Sequence, residues 1–347
     1  MRRGIDEVRR IVRWPKRQAE GKVLILVYHR VTSTQSDPWH LAVTPHHFVE
    51  QLTILRRYSN PITLQRLSQV LLLGGNLPDR SVIVTFDDGY ADNLHEAKPA
   101  LECHNIPATV FLTTGYIGSN HEFWWDELER VLLQPGIVPK ALRLDINGSM
   151  YRWDLGEAAH YDEDDARRYR EWRAWEKPPS SRHALYRSLW ELLYPLTESE
   201  RRRVLDKLVG WAGDEPTGRP THRVLSREEV IALSEGELIE LGAHTTTHPA
   251  LSALPIASQR DEIERSKIQL ENILNKEVAS FAYPYGKANH YTIETVSVVR
   301  EVGFLCACSN FAHTVRLSTD PFQLPRVAVP NWAGRKFALW LWRWFRR

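Results

Sequence analysis

Short β-branched runs alternate with amphipathic stretches along this chain, and that alternation restricts the fold more than any other feature. VLILVY (23–28), SVIVTF (81–86) and ATVFLTT (108–114) are largely apolar and too short for buried helices, the pattern of strands covered on both faces. LIELGAH (238–244) and SFAYP (280–284) repeat it later in the chain. Helical signals lie between. Thr44 caps a helix with Pro45 at its first position and FVEQLTILRRY behind it, and Ser226-Arg227-Glu228-Glu229 is a capping-box pattern. HEAKPALECHN, ASQRDEIERSKIQLENILN and YTIETVSVVREVGF carry helical spacing. Strand and helix in alternation predict an α/β fold on a parallel sheet.

The rhythm breaks between about residues 120 and 225. HEFWWDELERVLL reads as a helix, LRLDINGSMYRWDL as a hairpin turning at Asn147-Gly148, and DEDDARRYREWRAWEKPPSSRH as a charged, Trp-rich stretch closed by two prolines. The expected organisation is a basic extension at 1–21, a main domain at 22–119 and 226–330, an inserted α-rich subdomain or lid at 120–225, and a basic aromatic C-terminal helix at 331–347. A net charge of +2 over 347 residues gives no global reason to expect a nucleic-acid partner. Three cysteines cannot build a disulfide framework, and Cys306 and Cys308, two apart on a strand, read as neighbours in a core. No apolar run is long enough to span a bilayer, and the basic start lacks the apolar stretch of a signal peptide. A cytoplasmic location is the resulting expectation.

VIVTFDDGYADN sets Asp87 and Asp88 side by side at the end of a buried strand. Two carboxylates there repel each other and are costly to desolvate unless a cation holds them. GAHTTTHPALSAL supplies a companion set, His244 and His248, also at a strand end. Two imidazoles four residues apart converge on one ion if the chain enters a helical turn after the first. An Asp, two His and open positions make the donor set of a metal centre that keeps room for water and substrate.

TFDDG, the HTTTH pair and AYPYG (282–286), in that order and approximate spacing, resemble the first three motifs of the polysaccharide deacetylases, the NodB-homology group or carbohydrate esterase family 4. YHRV (28–31), FVEQL and FAYPYG without an arginine are most similar to the branch acting on exopolysaccharides and surface polysaccharides. The resemblance covers about residues 22–330, apart from the insertion. It implies a distorted, incomplete (β/α) barrel and a divalent metal, usually zinc, bound by Asp88, His244 and His248. It also implies that Asp87 is the base toward water and that the backbone N–H of Tyr285 meets the oxyanion. The implied reaction is removal of an N-acetyl group from an amino sugar.

The sequence departs from the commonest family pattern in two places. LPRVAV (324–329) has no histidine to serve as the acid, so His29, at the end of the first strand, is the candidate. The arginine that relatives set against the catalytic aspartate aligns with Ala282, and Arg326 is the candidate replacement. Trp124 and Trp125, with Tyr283, are candidate sugar-binding rings, although helix packing against the barrel is the slightly favoured reading of such a Trp pair. RKFALWLWRWFRR suits either a helix lying on anionic lipid or one docked on the barrel with its arginines wet. The first would put the protein at the inner membrane face, near a lipid-linked saccharide. Two rivals to deacetylation fit the same residues: a deformylase or other amide hydrolase on a lipid-linked amino sugar, and a non-catalytic carbohydrate-binding or assembly protein.

Overall fold

The apolar runs pair edge to edge, all in parallel. The computed structural model describes residues 22–346; the extension at 1–21 lies outside the described residues. Eight strands form the main sheet: β1 (Val23–Tyr28), β2 (Asn60–Pro61), β3 (Ser81–Phe86), β4 (Ala108–Leu112), β5 (Ile239–Ala243), β6 (Ser280–Ala282), β7 (Cys306–Cys308) and β8 (Val327–Ala328). Their spatial order is β7-β6-β5-β4-β3-β1-β8, with β2 also paired to β3. The sheet curls into the half-barrel of a NodB-type fold.

Alternation along each strand sorts side chains into two layers. Leu24, Leu26, Val82, Val84, Val110 and Phe281 face a helical layer that includes Phe48, Leu52, Ile263 and Val299. Val23, Ile25, Ile83, Phe111, Ala282, Cys306 and Cys308 face inward, where Leu64 and Leu67 close one end. Each fully buried Leu or Ile contributes roughly 1.5–3 kcal/mol relative to exposure. The first helix, Pro45–Tyr58, starts where its sequence dictates: the Thr44 hydroxyl accepts the N–H of His47 at 3.4 Å. A cap of this kind is worth about 1 kcal/mol.

A second compact unit comprises Thr34–Leu41 and Gly118–Val224. Its core joins Trp124, Leu128 and Leu132 to Leu185, Leu189, Leu205 and Leu208. Its hairpin, Ala141–Ile146 with Ser149–Asp154, turns at Asn147 and Gly148, both left-handed at φ +49° and +81°. The short piece Thr34–Leu41, which a reading along the chain leaves in the main domain, joins this unit because Pro38 accepts the N–H of Ala174 and Trp39 packs on Trp190. No helix among the described residues is long and apolar enough to cross a membrane.

Candidate active site

Register assembles the site. Tyr28 pairs with Phe86, so the next residues, His29 and Asp87, emerge together at the carboxyl rim of the sheet. Leu112 pairs with Ala243, so His244 follows beside Thr113, and the N–H of His244 extends the ladder to Leu112 O at 2.9 Å. Ala282 pairs with Cys308 one strand further along. Residues far apart in sequence thereby share one layer, where open parallel sheets present their reactive groups.

Asp87 continues the inward face of Ile83 and Thr85 and is buried. Arg326 grips both its oxygens, Nη1 on Oδ1 and Nη2 on Oδ2, each at 2.6 Å. The guanidinium is itself braced: Nε donates to Ser309 O at 2.9 Å and Nη1 to Thr85 Oγ1 at 3.2 Å. Burial pushes the Asp87 carboxyl up, but the Arg326 charge, with His244 and the guanidinium hydrogen bonds, outweighs it and holds Asp87 below its ordinary value.

Asp88 has a left-handed backbone, φ +75°, followed by Gly89 at +83°, and both aspartates approach His244, whose Nε2 lies 4.0 Å from Asp87 Oδ2. Asp tolerates that region better than most residues. Gly89 suits that left-handed backbone, and a Cβ there would also press on the end of the Leu112 side chain, with Cδ2 at 2.5 Å. Asp88 Oδ1 lies 3.6 Å from His244 Nε2 and 3.4 Å from His248 Nε2. All three residues are buried, and one donor atom from each lies within 4.8 Å of the others. Donors bound at ~2.0–2.1 Å around a tetrahedral zinc stand about 3.3 Å apart, so the set has the span of one cation. The tautomer also fits. His244 Nδ1 sits 2.7 Å from Ala282 O, and a carbonyl only accepts, so the proton is on Nδ1 and the Nε2 lone pair is free to ligate.

The two histidines converge through a loop rather than the helical turn their spacing suggested. Thr245 and His248 are both left-handed, φ +63° and +56°. The Thr245 hydroxyl accepts the N–H of His248 at 3.0 Å, tying the loop to itself. Tyr285 is left-handed as well, φ +59°, with Gly286 at +63° behind it, and its ring stands edge-on to His248 at 4.7 Å. His29 is half-buried beside Asp87. Burial pulls its pKa down to about 4 against the opposing pull of Asp87, so its imidazole is neutral at pH 7.

The family model of polysaccharide deacetylases matches residues 74–138 and 210–306, which contain both aspartates, both histidines and Tyr285. Over those residues the chain is similar to polysaccharide deacetylases. The polysaccharide deacetylase homologue YxkH of Bacillus subtilis (strain 168) is 28% identical over 133 residues, 38% of this chain and 46% of that protein. The match thus spans less than half of the curated relative. IcaB from Ammonifex degensii shares the fold with a TM-score of 0.57 and 20% identity, covering 94% of this chain and 98% of that one. The Streptococcus pyogenes deacetylase PplD, solved with acetate, does so with a TM-score of 0.54 and 16% identity, over 93% of this chain and 99% of that one.

Three expected sugar-binding rings are not available for stacking. Tyr283 is fully buried in the main domain, its hydroxyl donating to Phe322 O at 3.0 Å and its ring stacked on Tyr291 at 4.0 Å. Trp124 and Trp125, in the second unit, are 1% and 6% exposed. Arg201 and Trp190 cover Trp124, and Phe123 stacks on Trp125 at 4.5 Å. Their area went into packing.

Other residues act on the site without having been singled out. Glu262, on the helix Ile256–Leu274, accepts the backbone N–H groups of Thr246 and Thr247 at 2.9 and 2.8 Å and the Thr247 hydroxyl at 2.7 Å. It clamps the loop between the two histidines. Asn93 Nδ2 donates to His29 O at 2.9 Å, while Asp92 accepts from Val31 N–H and Arg30 Nε, each at 3.0 Å. Asp92 and Asn93 lie within the quoted aspartate motif; only their partners across the sheet reveal what they hold.

Proposed function

We propose that this chain is a metal-dependent N-deacetylase that removes an acetyl group from an amino sugar in a polysaccharide or lipid-linked saccharide. The observation that carries the reading is the division of labour between adjacent aspartates. Asp87 is held ionised by Arg326, while Asp88 faces two imidazoles across the span of one cation. Neither arrangement serves a turn or a core, and together they provide a base next to a cation site.

Asp88, His244 and His248 would hold the ion, and their one-carboxylate, two-imidazole set suits zinc. A divalent cation there supplies Lewis acidity toward water and toward the amide carbonyl. Asp87 accepts the proton that water gives up. Its two bonds to Arg326 lower its basicity but fix its direction, and a carboxylate keeps acceptor positions beyond the two that Arg326 takes. The backbone N–H of Tyr285 donates to the oxygen that gains negative charge as the carbonyl becomes tetrahedral. His29, neutral at rest beside Asp87, would take over the proton that Asp87 accepts from water and pass it to the leaving amine, which otherwise departs as an anion.

The test is metal content and acetate release, measured together on wild type and Asp87→Asn with an N-acetylated chito-oligomer. The reading expects about one ion per chain in both, with acetate released by wild type alone. Formate from N-formylated substrates without acetate from acetylated ones would reassign the acyl group, and a chain that binds no divalent ion would sink the mechanism.

A further inference from the structure

The helix Gly334–Arg346 follows directly on the sheet rim that carries the site. Val329 N–H bonds to Val27 O at 3.1 Å beside β1, and Gln51 Nε2 then holds Trp332 O at 2.8 Å. Phe337, Ala338, Leu341 and Phe345 are buried in the outer core layer, so its apolar face is already used. At 100° per residue the remaining arc holds Arg335, Lys336, Leu339, Arg343 and Arg346. The four cations are exposed, and residues 332–346 contain no acidic residue. Trp340, Trp342 and Trp344 are half-buried along the flanks of that arc. Trp332, Trp340 and Trp344 form a ladder with centroids 6.3 and 6.2 Å apart. Lys336 Nζ lies over Trp332 at 4.1 Å, and the Arg346 guanidinium lies over Trp342 at 4.7 Å.

We propose that this basic face with its indole flanks is a docking surface for an anionic lipid bilayer. The two parts fit the two zones of a membrane surface. Guanidinium and ammonium groups match lipid phosphates, and indoles settle at headgroup level with one edge apolar and one wet. A second copy of the chain is a poor occupant, since it would set four cations against four. The contact is adsorption, not insertion, because the apolar stripe faces the protein. The proposal does not depend on the deacetylase reading.

The full chain is sedimented with vesicles of phosphatidylglycerol and phosphatidylcholine in equal parts, and with phosphatidylcholine alone, at low and high salt. Two variants accompany it: Lys336→Ala with Arg343→Ala, and a control pair, Lys276→Ala with Arg316→Ala, exposed elsewhere on the same unit. Wild type is expected to partition to the anionic vesicles only, with binding weakened by salt. The helix pair should lose roughly 25-fold, about fivefold per cation, while the control pair stays near wild type and both melt like it. Brominated lipid in the anionic vesicles should quench indole fluorescence. Equal partition to neutral vesicles, or equal losses in the two variants, overturns the assignment. Binding of polyglutamate as tightly as vesicles, with no quenching, overturns it in favour of a soluble anionic polymer.

Discussion

Both carboxylate oxygens of Asp87 accept from the guanidinium of Arg326 at 2.6 Å, although 239 residues separate the two in the chain. The pair is buried in the inner layer of the sheet, where neither charge has water to fall back on. Removing one partner of such a pair leaves the other stranded.

Arg326→Met tests that directly. The variant is expected to lose about 3–5 kcal/mol in urea or guanidinium unfolding, far more than the packing change alone. A loss within ~1 kcal/mol of wild type would mean the ion pair is not closed in solution.

The same pair sets a pH dependence with a definite sign. Asp87 is held below its unfolded value, so its contribution to stability is complete above the unfolded carboxylate pKa of about 3.9 and disappears as pH falls further, through the lower folded value. In Arg326→Met burial, the largest influence and one that raises the carboxyl, is opposed only by His244 and His29, and the sign is expected to reverse: stability declines as pH climbs past the ordinary carboxylate range. Unfolding free energies of both proteins between pH 3 and pH 8 would show parallel curves if Arg326 were not the cause.

Glu262→Gln leaves the fold in place and loosens the loop that carries His248. One amide oxygen replaces a carboxylate that accepts two backbone N–H groups and a hydroxyl. Zinc affinity by calorimetry is expected to fall roughly 10-fold or more, in the range seen when groups orienting metal ligands are lost. An unchanged affinity would leave Glu262 with a structural role only.

Gly89→Ala should destabilise the turn that carries Asp88. The backbone there is left-handed, and the added carbon would sit 2.5 Å from Leu112 Cδ2. Strain of this kind costs on the order of 1–3 kcal/mol, and relief through the backbone, rather than through the Leu112 side chain, would move Asp88 away from the histidines. Thermal melts with and without zinc separate the two effects, since displacement of Asp88 removes the metal's stabilisation as well.

His29→Gln is expected to bind metal normally and to lose about 100-fold or more in kcat, the usual reach of a general acid. A variant with wild-type turnover would return His29 to the role of a strand-end residue.

The adjacent aspartates and the histidine pair were legible in the sequence because their cost is local: charge at the end of a buried strand needs a reason wherever that strand lies. The order of strands and helices was legible for a similar reason, since periodicity is written within each segment. Arg326 was only a candidate, because its contact depends on β8 lying beside β1, a register no local pattern records. The loop from His244 to His248 misled for a different reason. Spacing by four suits a helical turn, and nothing in HTTTH announces that Thr245 and His248 are left-handed. Trp124, Trp125 and Tyr283 stayed open as sugar-binding rings because an aromatic face serves a sugar and a core alike, and only burial distinguishes the two.

The cysteines have a practical consequence. Cys103 is exposed, while Cys306 and Cys308 are buried on β7, at one edge of the sheet, with burial pushing the Cys308 thiol up to about 12. A thiol reagent should therefore label one site at once and two only when that edge opens, through thiolates that are scarce even then. The slow phase is a clock built into the protein, running in the layer beneath Arg326 and Asp87. Its rate with and without zinc would report how firmly an ion at the rim holds the sheet below it closed.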